Sequence, residues 1–103
     1  MITEIVYEGH DNKINLLLKA DGEAVDLSSV TKMELKLDDT TISSQDYPSA
    51  FDWNSSSTTG EVILDLGDVG LEEGHYVAWL IVYDPTNTDG IVWDKFHLVV
   101  REV

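Results

Sequence analysis

The chain has 103 residues, no cysteine, and 20 acidic against six basic side chains, for a formal net charge of −14. A chain of this length can bury one core without staples. The missing thiols exclude disulfides and thiolate metal sites, and so few Lys and Arg exclude nucleic acid and anionic membranes as partners. Ten acids precede Phe51 and ten follow, a distribution that suits a solubilising, self-repelling surface; a basic partner or bound cations are its other uses. Met1-Ile2-Thr3-Glu4-Ile5 has no basic segment leading into an apolar run, so no signal peptide is expected and synthesis is assigned to the cytoplasm. No apolar run approaches the roughly 20 residues that span a bilayer.

In chain order the pattern is one of short strands, with no helical period sustained along the chain. Residues 2–7 form a first expected strand and residues 12–20 a second, with Ile14, Leu16 and Leu18 alternating against Asn15, Leu17 and Lys19. Asp21-Gly22 is a turn dipeptide, and Asp26-Leu27-Ser28-Ser29 a short turn or a single helical turn in which Asp and Ser bond nearby amides. Residues 31–37 make the cleanest strand: Met33, Leu35 and Leu37 point one way, Lys32, Glu34 and Lys36 the other. Short strands are expected at 40–43 and 50–53 around the turn at Tyr47-Pro48, followed by a small polar loop tip from Asn54 to Gly60. Residues 61–66 resume alternation with Val62, Leu64 and Leu66 inward.

The next run, after Leu71-Glu72-Glu73-Gly74, is apolar on both alternating faces: Tyr76, Ala78, Leu80 and Val82 on one, Val77, Trp79, Ile81 and Tyr83 on the other. The turn at residues 84–90 leads into a last strand, 91–101, with Phe96, Leu98 and Val100 on the core side. Seven to eight strands at this spacing, in one domain over residues 1–103, predict an all-β antiparallel β-sandwich. Gly74-x-Tyr76 at the start of the doubly apolar strand adds a specific cue. In immunoglobulin-like sandwiches a tyrosine here bonds back to the preceding corner, so the Tyr76 hydroxyl is expected to meet backbone between Asp68 and Glu73, with its ring mostly buried.

The two last long strands are expected to pair with Tyr83 opposite Trp93, Trp79 opposite His97 and Val77 opposite Val99. That register gathers Val77, Trp79, Ile81, Tyr83, Trp93 and Val99 on the outer face. Such a patch is either an interaction surface or is covered by the chain itself.

Residues suited to catalysis are scattered. No G-x-S-x-G elbow is present, and His10, His75 and His97 lie on separate segments. Asp38-Asp39, Asp65 with Asp68, and Glu72-Glu73 fall at strand ends, where solvated acids are ordinary. Asp84-x-x-Asn87-x-Asp89-Gly90 offers three oxygen side chains to calcium, but its spacing departs from D-x-D-x-D-G, no glutamate closes it, and the same residues make ordinary turns. Trp53, Trp79 and Trp93 raise carbohydrate binding. Trp53, in Phe51-Asp52-Trp53-Asn54, either stacks on a sugar or closes the end of the sandwich. No catalytic, cofactor or metal residue is assigned.

Taken together, the order Asp21-Gly22-Glu23-Ala24-Val25-Asp26-Leu27-Ser28, Met33 to Leu37, Gly60-Glu61-Val62-x-Leu64-x-Leu66 and Gly74-x-Tyr76 resembles small immunoglobulin-like domains of tailed-phage structural proteins, such as the N-terminal domain of upper baseplate proteins. Ala50-Phe51-Asp52-Trp53 and Val82-Tyr83-Asp84-Pro85…Gly90-Ile91-Val92-Trp93 are similar to segments of small phage tail-region proteins. The resemblance spans residues 11 to 100 and rests on turn and core residues; the baseplate domains usually continue into a longer chain. It implies a non-enzymatic virion component or accessory of a phage or prophage (tail, baseplate or decoration), made in the bacterial host, whose partners are other virion proteins or its own copies. A carbohydrate-binding or adhesion module is the alternative.

Overall fold

The computed structural model describes residues 2–53 and 59–103, so most of the expected loop tip, residues 54–58, lies outside the described residues. Ten strands are described: β1 (Thr3–Tyr7), β2 (Lys13–Leu17), β3 (Lys19–Ala20), β4 (Glu23–Ala24), β5 (Lys32–Lys36), β6 (Thr41–Ser43), β7 (Phe51–Asp52), β8 (Glu61–Asp65), β9 (Gly74–Tyr83) and β10 (Ile91–Arg101). They form a five-stranded sheet in the order β1-β10-β9-β5-β6, a three-stranded sheet β2-β8-β7 and a two-stranded β3-β4 ribbon.

Alternation explains how the two larger sheets meet. Ile14, Leu16, Phe51, Val62 and Leu64 from the smaller sheet join Val6, Met33, Leu35, Ile42, Ala78, Leu80, Val82, Phe96, Leu98 and Val100 from the larger in one buried cluster. Each strand contributes every second side chain, as a half-buried pleated strand must. The chain is thus all-β with a sandwich-like single core. That core is mostly branched aliphatic, with Phe51, Trp53 and Phe96 as its buried aromatics.

Three local features depart from the expected pattern. The stretch 12–20 is broken at Leu18, which is buried; its N–H donates to the Gly60 carbonyl (2.7 Å) and its own carbonyl accepts from Val25 (3.0 Å). Leu18 therefore leaves the β2 ladder, and β3 turns back into β4 through Asp21 and Gly22, both at positive φ (53° and 81°). Two such residues fit the two-residue turn whose twist matches a hairpin.

The second departure is β1. It pairs with β10 in parallel, Val6 opposite Val100, so the larger sheet is mixed, not wholly antiparallel. The connection to β2 does not form a hairpin: the Gly9 N–H donates to the Gly67 carbonyl (2.8 Å) as the chain crosses to the other sheet. With β2 committed to β8, β1 lies along the free edge of β10.

The third is the register of β9 and β10. Trp79 faces Lys95, Val77 faces His97 and Ala78 faces Phe96, two residues away from the expected alignment. The cause is the turn that precedes β10. The Asp84 side chain accepts from the amides of Thr86 (2.9 Å) and Asn87 (2.7 Å), and Gly90 N–H bonds the Asn87 carbonyl (3.2 Å), so pairing begins at once with Ile91 opposite Val82. A slip of two keeps each side chain on its face. The residue left over is absorbed between Val92 and Asp94 as a β-bulge at Trp93.

The expected corner bond is present. The Tyr76 hydroxyl donates to the Glu72 carbonyl at 2.7 Å, although the ring is half-buried rather than mostly buried. Tyr76→Phe removes one bond that water can partly replace. It is expected to cost about 0.5–1.5 kcal/mol, read as a lower urea midpoint with unchanged slope.

Candidate interaction surface

The outer face of the five-stranded sheet is built around β9. Cross-strand partners place Lys36 of β5, Trp79 of β9 and Lys95 of β10 in one row. The next row holds Glu34, Ile81 and Val92, and beyond it Lys32 lies opposite Tyr83. Trp79 is 40% exposed, and the Lys95 Nζ sits 4.9 Å from its ring centroid. Along these rows lies a shallow groove of about 400 Å³, with Leu37, Val77, Trp79, Ile81 and Val92 as its apolar lining and Lys36 and Asp38 at its side.

The six residues expected to share this face are only partly brought together. Val77, Ile81 and Tyr83 are half-buried beside exposed Trp79. The bulge turns Trp93 to pack against the core, and Val92, 56% exposed, takes its place on the outside. Val99 keeps its face but is only 4% exposed, because it lies in a row between His75 of β9 and Ile5 of β1. The usable patch is therefore Val77, Trp79, Ile81 and Val92. No sequence period announces Val92; it becomes part of the patch only through the bulge.

One end of the patch is held rigid. The Tyr83 hydroxyl donates to Glu34 Oε1 at 2.5 Å, Lys32 Nζ lies 3.6 Å from Glu34 Oε2, and the same ammonium sits 4.2 Å from the Tyr83 ring centroid. The hydrogen bond to Glu34, with burial and the neighbouring negative charges of Glu34 and Asp89, pushes the Tyr83 pKa from 10.0 to about 12. Gly90, at φ +83°, closes the floor here: a Cβ on it would stand 2.5 Å from Ile81 Cγ2 and 2.8 Å from the Tyr83 ring.

The other sequence candidates resolve differently. Trp53 is 9% exposed and belongs to the core, so it closes the sandwich and offers no open ring to a sugar. In the turn at 84–90, Asp84 Oδ1 already accepts from both amides and from Asn87 Nδ2 (3.1 Å), and its Oδ2 from the same Nδ2 (3.2 Å). The Asn87 side chain, then its amide, holds the Asp84 carboxyl below the usual range. Among the described residues, no three His, Cys, Asp or Glu side chains gather as metal ligands. The strand pairing does unite two histidines that the sequence left apart: His75 Nδ1 lies 3.3 Å from His97 Nε2, with Thr3 Oγ1 3.5 Å from His97 Nδ1. His10 is exposed on the loop after β1 and is not part of this pair.

No protein-family model matches the chain, and no curated protein matches its sequence.

Two outcomes are expected from these contacts. Tyr83 has a folded pKa above its unfolded value, so the contribution of its bond to Glu34 is complete below about pH 10 and is lost as pH rises through about 12. Glu34→Gln is expected to bring the Tyr83 tyrosinate absorbance step back toward 10.0. Because the Asp84 oxygens are occupied, millimolar calcium is expected to leave the melting temperature unchanged. Sodium chloride is expected to raise it by a few degrees through screening of the net charge. A shift specific to calcium and absent in Asp84→Ala would reverse that assignment.

Proposed function

We propose that the chain is an immunoglobulin-like β-sandwich that serves as a non-enzymatic structural or accessory protein of a phage or prophage virion, in tail, baseplate or decoration. It acts by protein–protein contact through the outer face of its five-stranded sheet. The observation that carries the reading is Trp79, an exposed tryptophan in an apolar groove at the middle of a broad sheet. Aromatic anchors of this kind bury large area at low entropy cost and dominate interface energies.

The immunoglobulin-like assignment is supported by strand order. β2, β8 and β7 follow the order of strands B, E and D, and β10, β9, β5 and β6 that of G, F, C and C′. The tyrosine bond to Glu72 falls at the corner before strand F, and Tyr76 precedes the fully buried Ala78 by two residues, the spacing that the second cysteine has in antibody domains. The virion context rests on the resemblance of the turn and core segments to tailed-phage structural domains.

The test is Trp79→Asp, a change at a side chain that is 40% exposed. The parent is expected to bind a protein encoded beside its own gene and to be incorporated into purified particles. The variant, still folded by circular dichroism, is expected to bind at least about thirtyfold more weakly, the effect of losing a hot spot of about 2 kcal/mol. Equal incorporation of parent and variant would remove this face from the function. A stack of oligosaccharide on Trp79, seen as quenched tryptophan fluorescence, would favour the adhesion reading.

A further inference from the structure

The six basic residues of the chain are not spread as its acids are. Lys32, Lys36, Lys95 and Arg101 all project from the outer face of the five-stranded sheet, where Glu34 is the acidic strand residue. Of the other 19 acids, Asp38 lines the groove beside Lys36 and Asp89 lies near Tyr83, and the rest share the remaining surface with Lys13 and Lys19. Glu34 is itself engaged with Tyr83 and Lys32. The strands of this face therefore carry four basic residues against one acid on a protein of net charge −14.

Its sharpest element is the Lys36–Trp79–Lys95 row. Three adjacent strands lie about 4.8 Å apart, so the two lysines arise roughly 10 Å from one another with the indole between them. Resting on the docking role proposed above, we infer that this row receives an acidic segment of a partner protein. An apolar side chain of that segment enters the groove beside Trp79, and carboxylates on either side meet the Lys36 and Lys95 ammonium groups.

Three physical points select this occupant. The Debye length is about 8 Å at physiological salt, and the two sheets stand about 10 Å apart. A segment seated on the outer face feels the nearby lysines more than the acids behind the core. A second copy presenting the same face would oppose one lysine row to another, which disfavours two-fold self-association through it. A long polyanion such as nucleic acid would extend beyond the two lysines and meet Asp38 in the groove lining and Asp89 near Tyr83 as like charges, whereas a short acidic segment can set its carboxylates on the lysines alone.

The experiment is fluorescence anisotropy with a short labelled peptide of alternating glutamate and leucine, its glutamine–leucine counterpart, and oligothymidylate of similar length. The glutamate peptide is expected to bind the parent, and K36E/K95E to weaken it about tenfold per reversed lysine, the order of a partly desolvated ion pair. K13E/K19E, on the opposite sheet and ribbon, is expected to leave binding unchanged. Equal binding of the glutamine peptide, or loss in Trp79→Asp without loss in K36E/K95E, would overturn the acidic specificity while leaving Trp79 as a docking anchor. Preferential binding of oligothymidylate would overturn it in favour of a phosphate polymer. Failure of the glutamate peptide to bind the parent at all would also overturn it, and particle incorporation of Trp79→Asp would then decide separately whether the face docks anything.

Discussion

The pairing of β9 with β10 is the constraint on which the larger sheet depends. β1 attaches through β10, β5 attaches through β9, and β6 attaches through β5. Each core side chain of these strands is consequently placed by one hairpin, and a slip of one residue would turn Ala78, Leu80, Phe96 and Leu98 outward together. The hairpin is pinned at its turn by the bonds of Asp84 to Thr86 and Asn87. Side-chain oxygen there replaces the backbone partners that a looser loop would leave to water.

That same hairpin creates the surface on its other side. Keeping Trp79 between Lys36 and Lys95 needs both ladders in register at once, since one lysine comes from each neighbouring strand. The bulge contributes by a trade: Trp93 joins the core, and Val92 is presented in its stead. The extra residue on one strand re-aims the side chains around it, which is the usual consequence of such an irregularity.

Charge and packing act on different scales here. The net charge of −14 opposes compaction, and the chain has no disulfide to offset it. Stability rests instead on one continuous core fed by both sheets and on polar groups satisfied at the corners, such as the Tyr76 hydroxyl on Glu72 and Ser44 Oγ accepting from the Met33 amide (3.0 Å). Acids in loops and at strand ends keep most repulsive pairs in water, where screening is strongest. Four of the six basic residues stand on the strands of one sheet face, so its strand residues carry an excess of positive charge.

Much of the fold was legible in the residues because strand periodicity is local. Met33, Leu35 and Leu37 against Lys32, Glu34 and Lys36 specify a half-buried strand without reference to any neighbour, and Gly74-x-Tyr76 specifies the bond that Tyr76 makes four residues back. Trp79 as the centre of an outer face follows from the same two-residue period. Tertiary structure decided what depends on two segments at once. The parallel course of β1 came from the crossing at Gly9 and Gly67. The burial of Val99 came from its place in a row between His75 and Ile5, and the inward turn of Trp93 from a register that the 84–90 turn closed early. The meeting of His75 with His97 and the alignment of Lys36, Trp79 and Lys95 likewise depend on cross-strand register. A period of two assigns a side chain to a face but says nothing of its opposite number on the next strand; hydrogen-bond ladders and turn geometry supply that partner.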